Sequence, residues 1–348
     1  MIPRHDRTGT LRSEAPEKND RRARPIVLLL SLLLLSVGAL LASCGGGPTV
    51  ATPTGRTLYL ATTSGIYGFS IMSDGTLQAL SSSPLATGSY NQIAATTGSS
   101  PLLIGANGGT SLTTWNISGE GLGSQGTLSV SNCISSATGV AVTSDNNYVV
   151  AVDGGVPGTS TNIASLPVTG GTCHTASTSA SSYPVQPALD CSLPASQNCI
   201  LFLTVSSSQT ITSSSLMSPV EYTYTEGSGV STTISPSPTC TAPDCPLGAA
   251  FNPNTLYFYA TFNGSSPSLQ SFASQTATAA QSTSFPTPNL TFPCIDALGG
   301  VAYIPTSNGY VYAVPTGNGG GLGSPSTVLT PQSFGSTLNI NSCAVGGS

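Results

Sequence analysis

Side chains able to do chemistry are scarce in this 348-residue chain, and their types limit what that chemistry can be. Beyond position 44 the cysteines stand at 133, 173, 191, 199, 240, 245, 294 and 343. An even set of this kind reads as up to four disulfides formed in an oxidising compartment. A structural zinc site would need paired cysteines or histidines. The sequence has no CxxC, and His174 is the one histidine past position 44, so zinc is not expected. Cys191 and Cys199 flank one hairpin turn, which would bring them face to face. Cys240 and Cys245 would close a short proline-containing loop. By elimination the other pairs are Cys133–Cys173 and Cys294–Cys343.

Two carboxylates stand out by position. Asp190 and Asp296 fall within expected innermost strands, Ala188-Leu189-Asp190-Cys191 and Cys294-Ile295-Asp296-Ala297. If both face a common channel without a cationic partner, they could hold a cation such as Ca²⁺ or carry a raised pKa. The competing reading makes them strand-end groups that cap loops or face water. His174 reads as a solvated residue of an outer loop, Arg56 as a surface charge, and Trp115 as core packing rather than a platform for a sugar ring. Gly121-Leu122-Gly123-Ser124-Gln125-Gly126 matches GxGxxG, but a dinucleotide site needs that motif between a strand and a helix. Here it falls between two strands, as a hairpin loop. No GxSxG nucleophile elbow occurs, and no cofactor is implied.

The charge balance excludes several partners. Residues 1–43 hold seven basic and four acidic side chains. Residues 44–348 hold a single basic one, Arg56, against nine acidic ones, a formal charge of 1 − 9 = −8. Nucleic-acid binding depends on Lys and Arg neutralising phosphates, so no nucleic-acid partner is expected. Tight phosphate binding through arginine forks is disfavoured for the same reason.

The basic residues belong to an export signal. Arg21-Arg22-Ala23-Arg24 precedes the apolar run 26–42, the order of a secretory signal peptide. Leu41-Ala42-Ser43-Cys44 resembles the bacterial lipobox, and a Gly45-Gly46-Gly47 tether follows. The resemblance implies lipidation of Cys44 after cleavage, with membrane attachment through that lipid. The expected organisation is a signal helix over 1–43, a flexible tether over 44–55, and one domain over 56–348. It would sit outside the cytoplasm, at the periplasmic face or the cell surface, with the outer membrane favoured. Asn116, Asn263 and Asn289 open glycosylation sequons, which mean little in a bacterial protein.

The domain that must position these residues is a repeat. Short strands recur as Leu58–Ala61, Leu102–Gly105, Tyr148–Ala151, Ile200–Leu203, Leu256–Tyr259 and Val301–Ile304. Each is followed by a strand with large residues three apart: Ile66/Phe69, Leu112/Trp115, Ile163/Leu166, Glu221/Tyr224, Leu269/Phe272 and Val311/Val314. The second members are spaced 46, 51, 58, 48 and 42 apart, a period that points to a propeller or solenoid. Before the recurring strand lies one rich in small residues, such as Gly139–Val142 or Gly248–Phe251, suited to the crowded centre of a ring. Such a strand is absent before Leu58 but present at 340–347. A ring closed by the C-terminal strand leaves no exposed sheet edge. The expectation is an all-β propeller of six four-stranded blades, or seven if the long fourth repeat, about 185–245, hides a degenerate blade.

The segments LYLA, IYGFSI and DGTLQALSSSPLATG resemble the lactonase-type propeller family, which includes 6-phosphogluconolactonase-like and YVTN-repeat proteins. The likeness is clearest over 56–91 and 126–168. It implies the propeller fold, and for the enzymes of the family a lactone substrate opened by charged residues around the channel. With one Arg and one His beyond position 44, the mature chain offers no matching catalytic residue. The favoured expectation is therefore a binding or interaction module for an uncharged or weakly polar partner: a glycan, a peptide or another envelope protein. A lactone hydrolase centred on Asp190 and Asp296 is the alternative.

Overall fold

The computed structural model describes residues 51–119, 121–143, 145–178, 182–191, 198–210, 216–225, 229–236, 240–241, 246–273, 279–334 and 338–347. The signal, Cys44 and most of the tether lie outside these, as does Cys245 with its expected bridge to Cys240.

Strands pair antiparallel into six sheets, each a blade of a propeller. From the axis outward, blade 1 comprises Ile340–Gly347, Pro53–Thr62, Gly65–Met72 and Leu77–Ala79. Blade 2 comprises Gln92–Ala95, Leu102–Ala106, Ser111–Ser118 and Gly121–Ser129, and blade 3 Gly139–Val142, Tyr148–Val152, Ile163–Pro167 and His174–Ala176. Blade 4 comprises Tyr183–Asp190, Asn198–Ser206, Leu216–Thr225 and Gly229–Pro236, with Cys240–Thr241 added beside its third strand. The long fourth repeat is thus one blade, and the seven-blade option falls. Its extra length goes into longer strands and this added pair. Blade 5 comprises Pro246–Asn252, Tyr257–Phe262, Ser268–Ala273 and Gln281–Ser284, and blade 6 Cys294–Asp296, Val301–Pro305 and Val311–Gly317, flanked by Gly321–Leu322 and Ser326–Leu329.

The pairs of large residues three apart have a direct structural meaning. Successive strand residues point to opposite faces, so an odd separation puts the two members on opposite sides of a blade. Ile66 packs in the core between blades 1 and 2, and Phe69 in the core between blades 6 and 1. Leu112 faces blade 3 while Trp115 faces blade 1; Val311 faces blade 1 while Val314 faces blade 5. Every blade is therefore sandwiched and apolar on both faces. Glu221 holds the same slot in blade 4, opposite to Tyr224, which packs toward blade 3. Trp115 is buried and meets Tyr90 edge to face at 5.3 Å, as core packing requires.

The ring closes as the terminal strand predicts. Ile340–Gly347 pairs with Pro53–Thr62, placing Cys343 opposite Leu60 and Gly347 opposite Arg56. Order begins earlier than the expected tether end at 55, because the first strand starts at Pro53 and the Thr52 N–H already bonds Ser73 Oγ at 3.1 Å. Among the described residues three disulfides form: Cys133–Cys173, Cys191–Cys199 and Cys294–Cys343. They point to an extracytoplasmic location. The first pins the outermost strand of blade 3 to the connection from blade 2. The second closes the hairpin of blade 4, where Asp190 and Ile200 are paired.

Candidate functional site

Six inner strands converge on a central cavity of about 180 Å³. Convergence leaves no room for bulk, which explains why its wall is built from segments such as Ile93–Ala95, Val140–Val142 and Ala249–Phe251. The polar side chains on the wall are amides, Gln92 and Gln186. Both are buried, and both cross to the next blade. Gln92 Oε1 accepts the Val140 N–H at 2.9 Å and lies over Gly139, where a methyl group would stand 2.8 Å from it. Gln186 repeats the arrangement over Gly248, where a methyl group would overlap its amide. In blade 1 the Ser342 hydroxyl takes the same role and accepts the Ile93 N–H at 3.1 Å. Side chains of one inner strand thus satisfy backbone donors of its neighbour, groups that no sheet ladder can reach. The Gln186 amide oxygen is buried against Gly248 with no hydrogen-bond donor.

The expected channel carboxylates are placed otherwise. The cavity is lined by Gln186–Leu189 in blade 4 and Pro293–Ile295 in blade 6, and the wall ends one residue short of each aspartate. Asp190 is buried beside the Cys191–Cys199 bridge. Asp296 is buried and forms an ion pair with Arg56, and its Oδ1 accepts the Gly299 N–H at 3.0 Å. Gly299 is required there, since a methyl group would collide with both charged groups. Asp296 thus has the cationic partner that the cation-site expectation assumed it lacked, and it caps the loop that follows it. Nor is Arg56 a free surface charge. Its side chain is 17% exposed and is spent on joining blade 1 to blade 6 across 240 residues of sequence. Sequence reasoning missed this pair because nothing local marks it. The available signal was that beyond position 44 a lone arginine stands against nine carboxylates and would be drawn to one of them.

The same seam holds Tyr303, which is buried in the core shared by blades 6 and 1 and is paired with Cys294 in the adjoining strand. Burial, reinforced by the Asp296 charge and opposed by Arg56, pushes the Tyr303 phenol up to about 12. Burial likewise pushes Tyr59 up to about 12.

Two further expectations are corrected. His174 is not in a loop: it opens the outermost strand of blade 3, half-buried and paired with Ser165. The GxGxxG segment is not a hairpin loop but most of the strand Gly121–Ser129, with Leu122 opposite Ile117 and Gln125 opposite Trp115. Glycines are tolerated there because the strand is exposed and outermost in its blade.

Fold and site together define a six-bladed β-propeller with a narrow, uncharged channel. No family model matches the chain, and no curated protein matches it by sequence. Solved structures match it by shape. A chain of a nidogen/laminin complex superposes with a TM-score of 0.54 at 12% identity, covering 84% of this chain and 98% of that one. The periplasmic gluconolactonase of Pseudomonas aeruginosa gives 0.48 at 13%, covering 77% and 81%. Hydrazine synthase of Kuenenia stuttgartiensis gives 0.47 at 11%, covering 78% and 79%. At such identities the likeness is one of fold.

Proposed function

We propose that this protein is an extracytoplasmic binding module, tethered to the bacterial envelope by a lipid on Cys44. The observation that carries the reading is the disposition of charge. Arg56, the one basic side chain of the mature domain, is engaged in ring closure, and the channel wall presents small apolar residues and amides. Such a surface suits a neutral ligand held by hydrogen bonds. It gives a lactone hydrolase no charged group against the cavity with which to activate water or stabilise an oxyanion. The lipobox and Gly-rich tether support attachment that leaves the ring free to meet a partner. The outer membrane is the favoured site.

The test uses the full-length chain made in a bacterium. Metabolic labelling with an alkyne fatty acid should tag the wild type and not Cys44→Ala, which should leave the membrane fraction. The purified protein should capture a ligand from oligosaccharide or peptide arrays and open lactones no faster than buffer does. Lactone opening that is lost in the Asp190→Asn/Asp296→Asn variant would overturn the reading in favour of the hydrolase.

A further inference from the structure

We propose that the groove between blades 2 and 3, on the face carrying the turns 96–101 and 143–147, binds a short neutral oligosaccharide. The inference rests on the binding-module reading and gives it a location and a ligand class. The groove encloses about 630 Å³, against about 180 Å³ for the channel. The larger figure falls within the roughly 300–1,000 Å³ of small-ligand sites. The smaller one admits water or a fragment, but no chain of sugar rings.

Its chemistry is that of a polyol partner. The rim carries hydroxyls and amides from Ser100, Asn116, Asn147 and Thr169, groups that donate and accept as sugar hydroxyls do. The half-buried Tyr148 and Pro167 supply an apolar floor for the carbon face of a ring. The lining side chains carry no charge, so a phosphorylated or uronic ligand would lose its hydration without gaining a counter-ion. The walls are turns and strand ends rather than a free sheet edge, which disfavours an extended peptide seeking backbone pairing.

The groove is also rigid before any ligand arrives. The Thr97 N–H donates to Asn146 Oδ1 at 2.9 Å, and Asn146 Nδ2 donates back to the Thr97 carbonyl at 3.0 Å. These bonds staple the turn of blade 2 to that of blade 3. Asn146 sits in the left-handed region at φ 64°, a conformation asparagine tolerates. Asp145 fixes the turn around it, accepting from the Thr143 hydroxyl at 2.6 Å and the Asn147 N–H at 3.0 Å. A preformed site spares the ligand the cost of ordering loops.

The experiment places the full chain, in detergent, on arrays of neutral oligosaccharides (cellotriose, mannotriose and triacetylchitotriose among them) and of peptides. Calorimetry follows on any oligosaccharide retained. Ser100→Trp, at an exposed turn position, should fill the groove without touching the core and weaken binding at least about tenfold, roughly 1.4 kcal/mol. Tyr148→Ala should do likewise by removing the floor. Gln209→Trp, in the cavity of the opposite face between blades 3 and 4, should leave binding unchanged. Oligosaccharide binding that Ser100→Trp leaves intact would overturn the groove while sparing the binding-module reading. Capture of peptides alone would overturn the ligand class. Binding of nothing, with lactone turnover, would overturn both.

Discussion

The seam between blades 6 and 1 and the seam between blades 2 and 3 join similar blades by different means. At the first, a disulfide and an ion pair converge beside the strand pairing that completes blade 1. The second has a disulfide too, Cys133–Cys173, but no ion pair: its polar contacts are neutral hydrogen bonds, from the Val140 N–H to Gln92 and between Asn146 and Thr97. The contrast follows from chain connectivity. Blades 2 and 3 are continuous in sequence, so their contacts need only set an angle. Blade 1 is assembled from both ends of the domain and must be latched. The two latches divide that task. Cys294–Cys343 ties two parts of the C-terminal segment, holding the closing strand against blade 6. Arg56–Asp296 then joins the N-terminal strand to that assembly. The seam without an ion pair leaves a groove.

The largest effect should come from the closing disulfide. Cys294→Ala/Cys343→Ala opens a loop of 49 residues and should cost about 4 kcal/mol in denaturant unfolding by the chain-entropy relation. Cys191→Ala/Cys199→Ala opens a loop of 8 residues and should cost about 2.5 kcal/mol. A reversed order would mean that closure is not the vulnerable seam. Next comes the ion pair. Asp296→Asn leaves a mostly buried guanidinium without its counter-charge and should cost about 3 kcal/mol. Arg56→Met with Asp296→Leu should cost less than either single change, because neither charge is then stranded. Strict additivity in that cycle would show the pair to be uncoupled.

Alkaline pH probes the same seam from another side. The folded state holds the Tyr303 and Tyr59 phenols protonated to about 12, whereas the unfolded chain releases them near 10.0. Raised folded values mean that the contribution is fully present below pH 10 and is lost as pH climbs through 12. Each tyrosine accounts for on the order of 2 kcal/mol across that window. Melting temperatures recorded between pH 8 and 12 should stay flat and then fall, and Tyr303→Phe should make the fall shallower. An unchanged slope in that variant would assign alkaline unfolding to other groups.

Much of this architecture is written locally. The pairs three apart appear in the sequence because a blade buries both faces, and the small-residue strands appear because the axis is crowded. The terminal strand was readable for the same reason, since 340–347 supplies what Leu58 lacks before it. The bridge Cys191–Cys199 follows from hairpin geometry, whereas Cys133–Cys173 and Cys294–Cys343 come from the sequence only by elimination. What escaped the sequence depends on the ring once formed. Arg56 meets Asp296 only because closure brings residues 240 positions apart together. Asp190 and Asp296 sit on inner strands as expected, yet the cavity wall ends at Leu189 and Ile295. A one-residue step along a strand reverses the side chain, and no spacing rule says where the wall stops. The groove was hidden for a related reason: the Thr97 and Asn146 turns are unremarkable apart and meet only across a seam.

The smallest effect belongs to the neutral seam, and it separates the two designs most cleanly. Gln92→Ala strips the Val140 N–H of its acceptor inside the channel and should cost about 1–2 kcal/mol. It should leave the blade 6–1 seam, and therefore the Tyr303 share of the alkaline profile, unchanged. The mate of that amide, Gln186, allows a stricter check. Gly248→Ala puts a methyl group into the space of the Gln186 side chain and against the Phe292 ring, and should destabilise by about 2 kcal/mol. Adding Gln186→Ala removes only the first clash. The double variant should recover part of the loss in denaturant unfolding, by an amount that measures how tightly the amide is seated. No recovery would mean that Phe292 alone fixes the approach of blades 5 and 6, and that the crossing amides serve hydrogen bonding and not spacing.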